Sequence, residues 1–533
     1  MRTFNKKPIA LGVTAGIAML AVSTGALAAS AGTDLNLSAH TIAGGMAGAA
    51  YTKPQEASAA VFGNPATLTQ FPGVNFNFGA THIFLTDVEV EIETTTGESA
   101  GGGRAGQLYD QGAITDRTSS KHSSDADNYI VPTLGISLQV SPKLFLGLGL
   151  EADAGLGADY RDDPIDVLGN TNLLDDTGTF ALNASIPLLV EVISFNANIA
   201  AAYQATENLS LGAAVTIGFG LAQLGTAGDT TGLSTAFPDA AAANIFSDFG
   251  GTTGSVHDLA LGWSLGATYE VNKNIMTSLA VKGPVNYQFD NIIFMQPQYG
   301  DPVVSGGAGA GWQKLEVEQP LEVIAGVAYE EGNLLVEADV IWKNWSDANA
   351  YENAYDDQFK LVLGGQYKMG KWSLRAGYSW TEDILKGTPD STLGGLQGVG
   401  SIPLGSLASA TDTIIGTGDP VNAVSTVATD VIGIVQMSLL PVLWQHNITA
   451  GVGYNFTDAV SVNAFASYAF SEEASRSHNT LLEVANVVGP AGASGANLLG
   501  DDGYDQDGFA SGTSKQSLGE EIFVGVGINV ALP

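Results

Sequence analysis

Apolar and polar residues alternate with a period of two in many separate stretches of this chain. From Lys143 to Glu151, Leu144, Leu146, Leu148 and Leu150 share one face, with Phe145, Gly147, Gly149 and Glu151 on the other. From Lys371 to Thr381, Trp372, Leu374, Ala376, Tyr378 and Trp380 alternate with Ser373, Arg375, Gly377 and Ser379. Val462, Ala464, Ala466, Tyr468 and Phe470 form another row, and Ile522, Val524, Val526, Ile528, Val530 and Leu532 a fourth. A period of two places successive side chains on opposite faces of a strand. Apolar rows with an aromatic near one end, backed by small or polar residues, fit strands set between lipid and a lumen. A soluble sandwich also alternates, so the weight lies in the number of such segments.

The pattern predicts strands near 73–93, 128–140, 143–159, 186–204, 208–222, 257–271, 274–294, 316–330, 333–347, 357–368, 371–385, 441–455, 458–471 and 519–533. Tight turns such as Ser141-Pro142, Asn272-Lys273, Glu331-Gly332 and Met369-Gly370 alternate with long, mostly polar connections. Turn-forming residues account for the first set. The expectation is an all-β fold, an antiparallel transmembrane β-barrel of about 14 strands. Its short turns would face the periplasm and its long loops the exterior.

The N-terminus carries a targeting pattern. Arg2, Lys6 and Lys7 precede an apolar run from Ile9 to Val22, and Ala26-Leu27-Ala28 supplies the small residues of a cleavage site. The expected organisation is therefore a signal peptide over 1–28, a plug or hatch over 29–72 and a barrel over 73–533. The mature chain has no apolar run suited to a membrane helix; Val421 to Trp444 is interrupted by Asp430, Gln436 and Pro441. A closed barrel is the alternative that satisfies backbone hydrogen bonds in lipid.

Composition narrows the function classes. Only 14% of residues are charged, 67 are glycine, and the net charge is −35. That charge opposes binding to nucleic acid. The absence of cysteine removes thiolate metal sites and cysteine nucleophiles. The six histidines are scattered, and Gly262-Trp263-Ser264-Leu265-Gly266 lies mid-strand, where a nucleophile elbow cannot form. No enzymatic activity, cofactor or metal is expected. The carboxylates of the run Asp501 to Gly508 could hold Ca²⁺, although no Glu stands at the distance an EF-hand needs; the other reading is a solvated acidic tip. The stretch 386–440 is long and apolar enough to line an external groove or to be buried among other loops.

The segment before the first strand holds Ala43-Gly44-Gly45-Met46-Ala47-Gly48 and the triplet Asn64-Pro65-Ala66. Together with Gln319-Pro320-Leu321-Glu322, Asp339 to Trp342 and Leu374-Arg375-Ala376-Gly377-Tyr378, in that order, it resembles the FadL family of outer-membrane transporters for fatty acids and other hydrophobic compounds. The resemblance implies a hatch in the lumen, with Asn64, Pro65 and Ala66 at its corner and Phe62 and Phe71 beside the path. It also implies a kink in the third strand, where Gly155 and Gly157 interrupt the alternation, opening a lateral exit for passive diffusion. A fatty-acid carboxylate would favour a cation inside the barrel, and Arg375, Lys282 and Lys360 are the candidates. A hydrocarbon would need none. Expected partners are hydrophobic small molecules and the lipid and lipopolysaccharide of a Gram-negative outer membrane, around a monomeric barrel. The alternative is a surface adhesin or structural porin with partner-binding loops.

Overall fold

A computed structural model of the chain describes residues 35–95, 118–166, 171–175, 178–182, 185–186, 188–226, 255–295, 311–352, 355–384, 444–478 and 511–533. The expected signal peptide, the apolar stretch 386–440 and the acidic run 501–508 lie outside the described residues.

Fourteen strands close into an antiparallel barrel in which each pairs with its sequence neighbours. They are β1 (Val74–Leu85), β2 (Asn128–Ser141), β3 (Leu144–Asp159), β4 (Leu188–Gln204), β5 (Leu209–Thr226), β6 (Val256–Asn272) and β7 (Ile275–Lys282). The circuit continues with β8 (Glu322–Glu331), β9 (Leu334–Lys343), β10 (Gln358–Met369), β11 (Trp372–Thr381), β12 (His446–Asn455), β13 (Val460–Ala469) and β14 (Glu521–Leu532). β14 closes the ring on β1 in an unbroken register from Val74↔Leu532 to Leu85↔Glu521.

Outward positions of the wall are apolar and exposed: Leu211, Val215 and Ile217 on β5, Leu259, Leu261 and Leu265 on β6, Leu361 and Leu363 on β10. Such a belt is a liability in water and the solvent-matched surface in lipid. Tyr203, Tyr269, Tyr329, Tyr367 and Trp372 stand exposed near the short-turn end, as an interfacial girdle requires.

The wall is uneven in height. β3 to β6 run 16 to 18 residues, whereas β7 to β9 run 8 to 10. A span needs about 9–11 tilted residues, so the tall strands rise well past the bilayer. Two corrections to the pattern reading accompany this. The runs expected as single strands over 274–294 and 316–330 each break, at Gly283-Pro284 and at Pro320-Leu321. Their outer parts, Val285–Met295 and Gly311–Gln319, pair with each other as a separate two-stranded ribbon. Proline supplies no ladder donor and fixes φ, so a sheet turns or ends there. The second correction concerns the run expected as one strand over 73–93, which breaks at Thr86-Asp87, and the connections 94–127 and 472–518. Val88–Thr95, Thr118–Ser123, Glu472–His478 and Ser511–Leu518 form a four-stranded sheet beyond the long-loop end.

Candidate functional site

The interior of the barrel is occupied from its short-turn end by residues 35–71. This segment is buried nearly throughout, with Leu37, Met46, Tyr51, Val61 and Leu68 at most 1% exposed. It has little regular structure of its own, a helix at Ala57–Phe62 and 3-10 turns at Gly44–Met46 and Pro65–Gln70. Its backbone polar groups therefore need partners elsewhere, and the wall supplies them. The Glu337 carboxylate on β9 accepts from the Thr52 and Lys53 N–H groups at 2.7 and 3.0 Å. Thr449 Oγ1 on β12 accepts from Ala47 N–H at 2.9 Å, and Thr81 Oγ1 on β1 donates to the Ala39 carbonyl at 2.8 Å. Within the segment, Glu56 accepts from Ile42 and Ala43 N–H at 2.8 and 2.9 Å.

The corner Asn64-Pro65-Ala66 is built as a cap. Asn64 precedes the 3-10 turn, its Oδ1 accepting from Ala66 N–H at 3.1 Å, while Pro65 takes the first helical position, where no donor is needed. Asn64 Nδ2 donates to the Tyr51 carbonyl at 3.2 Å and to the Ala267 carbonyl of β6 at 3.4 Å. The corner rests on bare backbone: a Cβ on Gly212 of β5 would strike Pro65 and Ala66, and one on Gly266 of β6 would strike Asn64 Oδ1. Phe62 is buried against Gly149 of β3, edge-on to His40 with ring centroids 6.1 Å apart. Phe71 lies at the short-turn end, beside a polar cavity of about 460 Å³ lined by Lys53, Gln70, Glu207, Glu270 and Glu330 among others. Lys53 Nζ is 2.9 Å from Glu330 Oε2 there.

A breach in the wall separates β2 from β3. They pair from Ser141↔Leu144 only as far as Thr133↔Glu151. Beyond that point β2 pairs with β1 and β3 with β4. The strands are bridged again above, where Asp125 N–H donates to the Asp159 carbonyl and Asp159 N–H to Ser124 Oγ, both at 2.9 Å. The β3–β4 register shifts here, Phe195 facing Ala152 and Ser194 facing Ala154, so Asp153 is the extra residue of a bulge. Gly155 and Gly157, the positions expected to kink, lie past the bulge and pair regularly with Ile193 and Glu191.

The lumen segment clasps β3 on both sides of this bulge. Leu35 N–H donates to the Asp153 carbonyl at 2.7 Å, and Leu35 joins a buried apolar group with Tyr129, Val131 and Ala152. His40 Nε2 lies 2.7 Å from Glu151 Oε2, and its Nδ1 lies 2.8 Å from Ser58 Oγ. Burial pulls the imidazole of His40 down to about 4, so it is uncharged at neutral pH. The Ser-His-Glu order resembles a nucleophile relay, yet Ser58 is fully buried and Asn77 Nδ2 also donates to its hydroxyl at 2.8 Å. A Cβ on Gly135 would already strike the Ser58 backbone. The trio ties the lumen segment to the wall.

The three cations expected to meet a carboxylate are not brought together. Arg375 on β11 is buried under the lumen segment, donating through Nε to Gln366 Oε1 at 2.7 Å and through Nη1 to Asn463 Oδ1 at 3.0 Å. Lys282 Nζ lies 3.4 Å from Glu322 Oε2, and Lys343 Nζ 3.6 Å from Glu322 Oε1, with Asn36 Nδ2 donating to Glu322 Oε1 at 3.2 Å. Lys360 sits apart on β10, opposite Ile341 and Thr381. The pattern reading missed Glu151, Glu322, Glu337 and Lys343. Charged residues at inward positions of otherwise apolar or small-residue strands were the signal available for them.

A closed fourteen-stranded barrel with an apolar belt, whose lumen is filled by its own N-terminal segment, defines an outer-membrane protein of the transport class. The chain belongs to the family described as outer membrane protein transport protein (OMPP1/FadL/TodX), whose model matches residues 19–388. Among solved structures it is similar in fold to the Pseudomonas putida toluene transporter TodX, at 17% identity and a TM-score of 0.54, over 93% of this chain and 99% of that one. A Pseudomonas aeruginosa FadL homologue aligns at 12% identity and a TM-score of 0.52, over 94% of this chain and 99% of that one. No curated protein sequence matches the chain.

Proposed function

We propose that this protein carries hydrophobic small molecules, hydrocarbons or long-chain fatty acids, passively across the outer membrane and releases them sideways into the bilayer. Residues 35–72 act as the hatch, and the gap between β2 and β3 is the exit. The observation that carries the reading is the parting of these strands beyond Thr133 and Glu151, filled by Leu35 from the hatch. Withdrawal of Leu35 would leave Val131, Tyr129 and Ala152 lining a passage from lumen to lipid. The way down is unfavourable for such cargo, because it leads through fully buried hatch backbone into a polar cavity rimmed by Glu207, Glu270 and Glu330. Burial of apolar surface drives movement into lipid and opposes movement into that cavity.

The cargo class favoured is uncharged. Lys282 already faces Glu322, and Arg375 is spent on Gln366 and Asn463. The test is uptake of labelled toluene and of labelled oleate by cells with and without the protein. Faster uptake of either in the presence of the protein is expected, toluene showing the larger gain. Equal uptake of both with and without the protein would end the transport reading.

A further inference from the structure

The chain fills its lumen twice. Above the hatch, the ribbon of Val285–Met295 and Gly311–Gln319 turns inward at Gly283-Pro284 and packs on the inner faces of β5 and β6. Val285, Tyr287, Phe289, Leu315 and Val317 are all buried, Tyr287 and Phe289 to 1% and 0% exposure. The rings of Tyr287 and Phe289 are stacked, 15° between planes and 6.0 Å between centroids. They lie on a floor without side chains: a Cβ on Gly218 would strike Tyr287, and one on Gly220 would stand 2.9 Å from Phe289 Cζ. A Cβ on Gly262 would stand 2.6 Å from a γ-methyl of Val285. Gln288 N–H donates to Asp258 Oδ2 at 2.8 Å, and Gly283 N–H to the Trp263 carbonyl at 2.8 Å.

The hatch rests on Gly212 and Gly266, and the ribbon on Gly218, Gly220 and Gly262, of the same two strands. Six residues separate Gly212 from Gly218, about 20 Å along the strand. Between the two floors lie Thr216, Ser264 and Asn198, all lumen-facing and buried. A molecule coming from the long-loop side therefore meets the aromatic pair before it meets the hatch.

We propose that the ribbon is a second, outer plug, and that Tyr287 and Phe289 are the residues that set which hydrophobic molecules enter. Their rings cover a glycine floor, and the cargo that takes their place is one no wider than the rings themselves, a single-ring or chain hydrocarbon rather than a fused-ring one. The proposal deepens the transport reading given above and rests on it for the cargo, though not for the plug. Removing both rings leaves the glycine floor open at Gly218 and Gly220 and takes away the aromatic burial that helps to hold the ribbon there.

Because the chain has no cysteine, thiols can be placed at will in the full-length protein. Gly262→Cys with Val285→Cys puts two β-carbons within the ~3.5–4.5 Å that a disulfide spans. Once oxidised, this pair should cut toluene uptake at least about tenfold, and reductant should restore it. Uptake that is the same oxidised and reduced, beside a transporting wild type, overturns the gate and leaves the transport reading standing. Tyr287→Ala with Phe289→Ala should raise uptake of phenanthrene relative to toluene, and an unchanged ratio overturns the selectivity. The plug is read separately by maleimide labelling of Thr216→Cys from outside, expected to quicken at least about tenfold when Tyr287 and Phe289 are alanine. If the wild type carries no cargo, the transport reading fails. Labelling then decides alone: an unchanged rate overturns the plug, and a faster one upholds it.

Discussion

Among the described residues the barrel wall is breached in two places, and the breaches are made differently. Between β2 and β3 both strands continue past their last shared pair, part around an extra residue at Asp153, and are bridged again at Asp125 and Asp159. Between β6 and β7 the neighbour simply leaves: β7 ends at Lys282, and the chain turns into the lumen at Gly283-Pro284. The upper half of β6, Val256–Trp263, then keeps β5 as its only sheet neighbour among the described residues. A bulge accompanies the parting of two strands within a continuous wall, and Leu35 packs beside it. A proline corner converts wall into filling. In our reading the first breach serves as an exit and the second builds a gate.

Deleting Asp153 is expected to have the largest effect. Removing the extra residue restores an even β3–β4 register, and a straightened β3 can pair with β2 beyond Glu151. Uptake of toluene should fall at least about tenfold, a barrier rise of ~1.4 kcal/mol or more. Uptake at the wild-type rate from a folded deletion variant would remove the β2–β3 breach from the route. A somewhat smaller effect is expected from Gly212→Leu. The new side chain collides with Pro65 and Ala66, so the hatch must shift off β5, and overpacking of this kind costs about 1–3 kcal/mol. Ion conductance of the reconstituted protein should rise as the seal loosens, and an unchanged conductance would mean that the corner does not seal.

How much of this was legible in the chain can be seen from the same two breaches. The alternation of Leu144 to Leu150 or of Val524 to Leu532 directly records a wall with lipid on one side, and the resulting strands stand close to where the pattern places them. The alternation over 274–294 continues unbroken through Gly283-Pro284, because Val285, Tyr287 and Phe289 face one way whether the strand stays in the wall or bends inside it. Periodicity reports which face is apolar and not which surface covers it, so the ribbon was hidden. The bulge at Asp153 was hidden for a related reason: glycines at 155 and 157 are conspicuous, whereas one extra residue shows only against a partner strand. The clasps through Glu151, Glu322 and Glu337 depend on residues more than a hundred positions apart in the chain, and no local spacing announces them.

Glu337→Ala acts on the lumen segment alone. Its carboxylate, fully buried, is the acceptor for Thr52 and Lys53 N–H near the short-turn end of the lumen. Leaving buried donors unpaired costs about 1–3 kcal/mol each, less where water enters. Hydrogen exchange of the Tyr51–Lys53 amides should speed accordingly, while the amides of β5 and β6 beneath the ribbon stay as slow as before. Loss of protection at both places together would show that hatch and ribbon open as one unit, and the distinction between two plugs would fail.

The smallest effect is expected at Arg375, and it bears on what the lumen is for. If this guanidinium received a cargo carboxylate, Arg375→Gln would depress oleate uptake and spare toluene. Its donors are instead engaged by Gln366 and Asn463, and it lies beneath Gly45 of the hatch, on the far side of the segment from any arriving molecule. A glutamine there can still bond one of these amides, so the loss is held to about one charge-assisted hydrogen bond, ~1.5–3 kcal/mol of local stability. Uptake of oleate and of toluene should then change by the same small factor. A selective loss of oleate would return Arg375 to the cargo path and, with it, a charged molecule to the list of what passes.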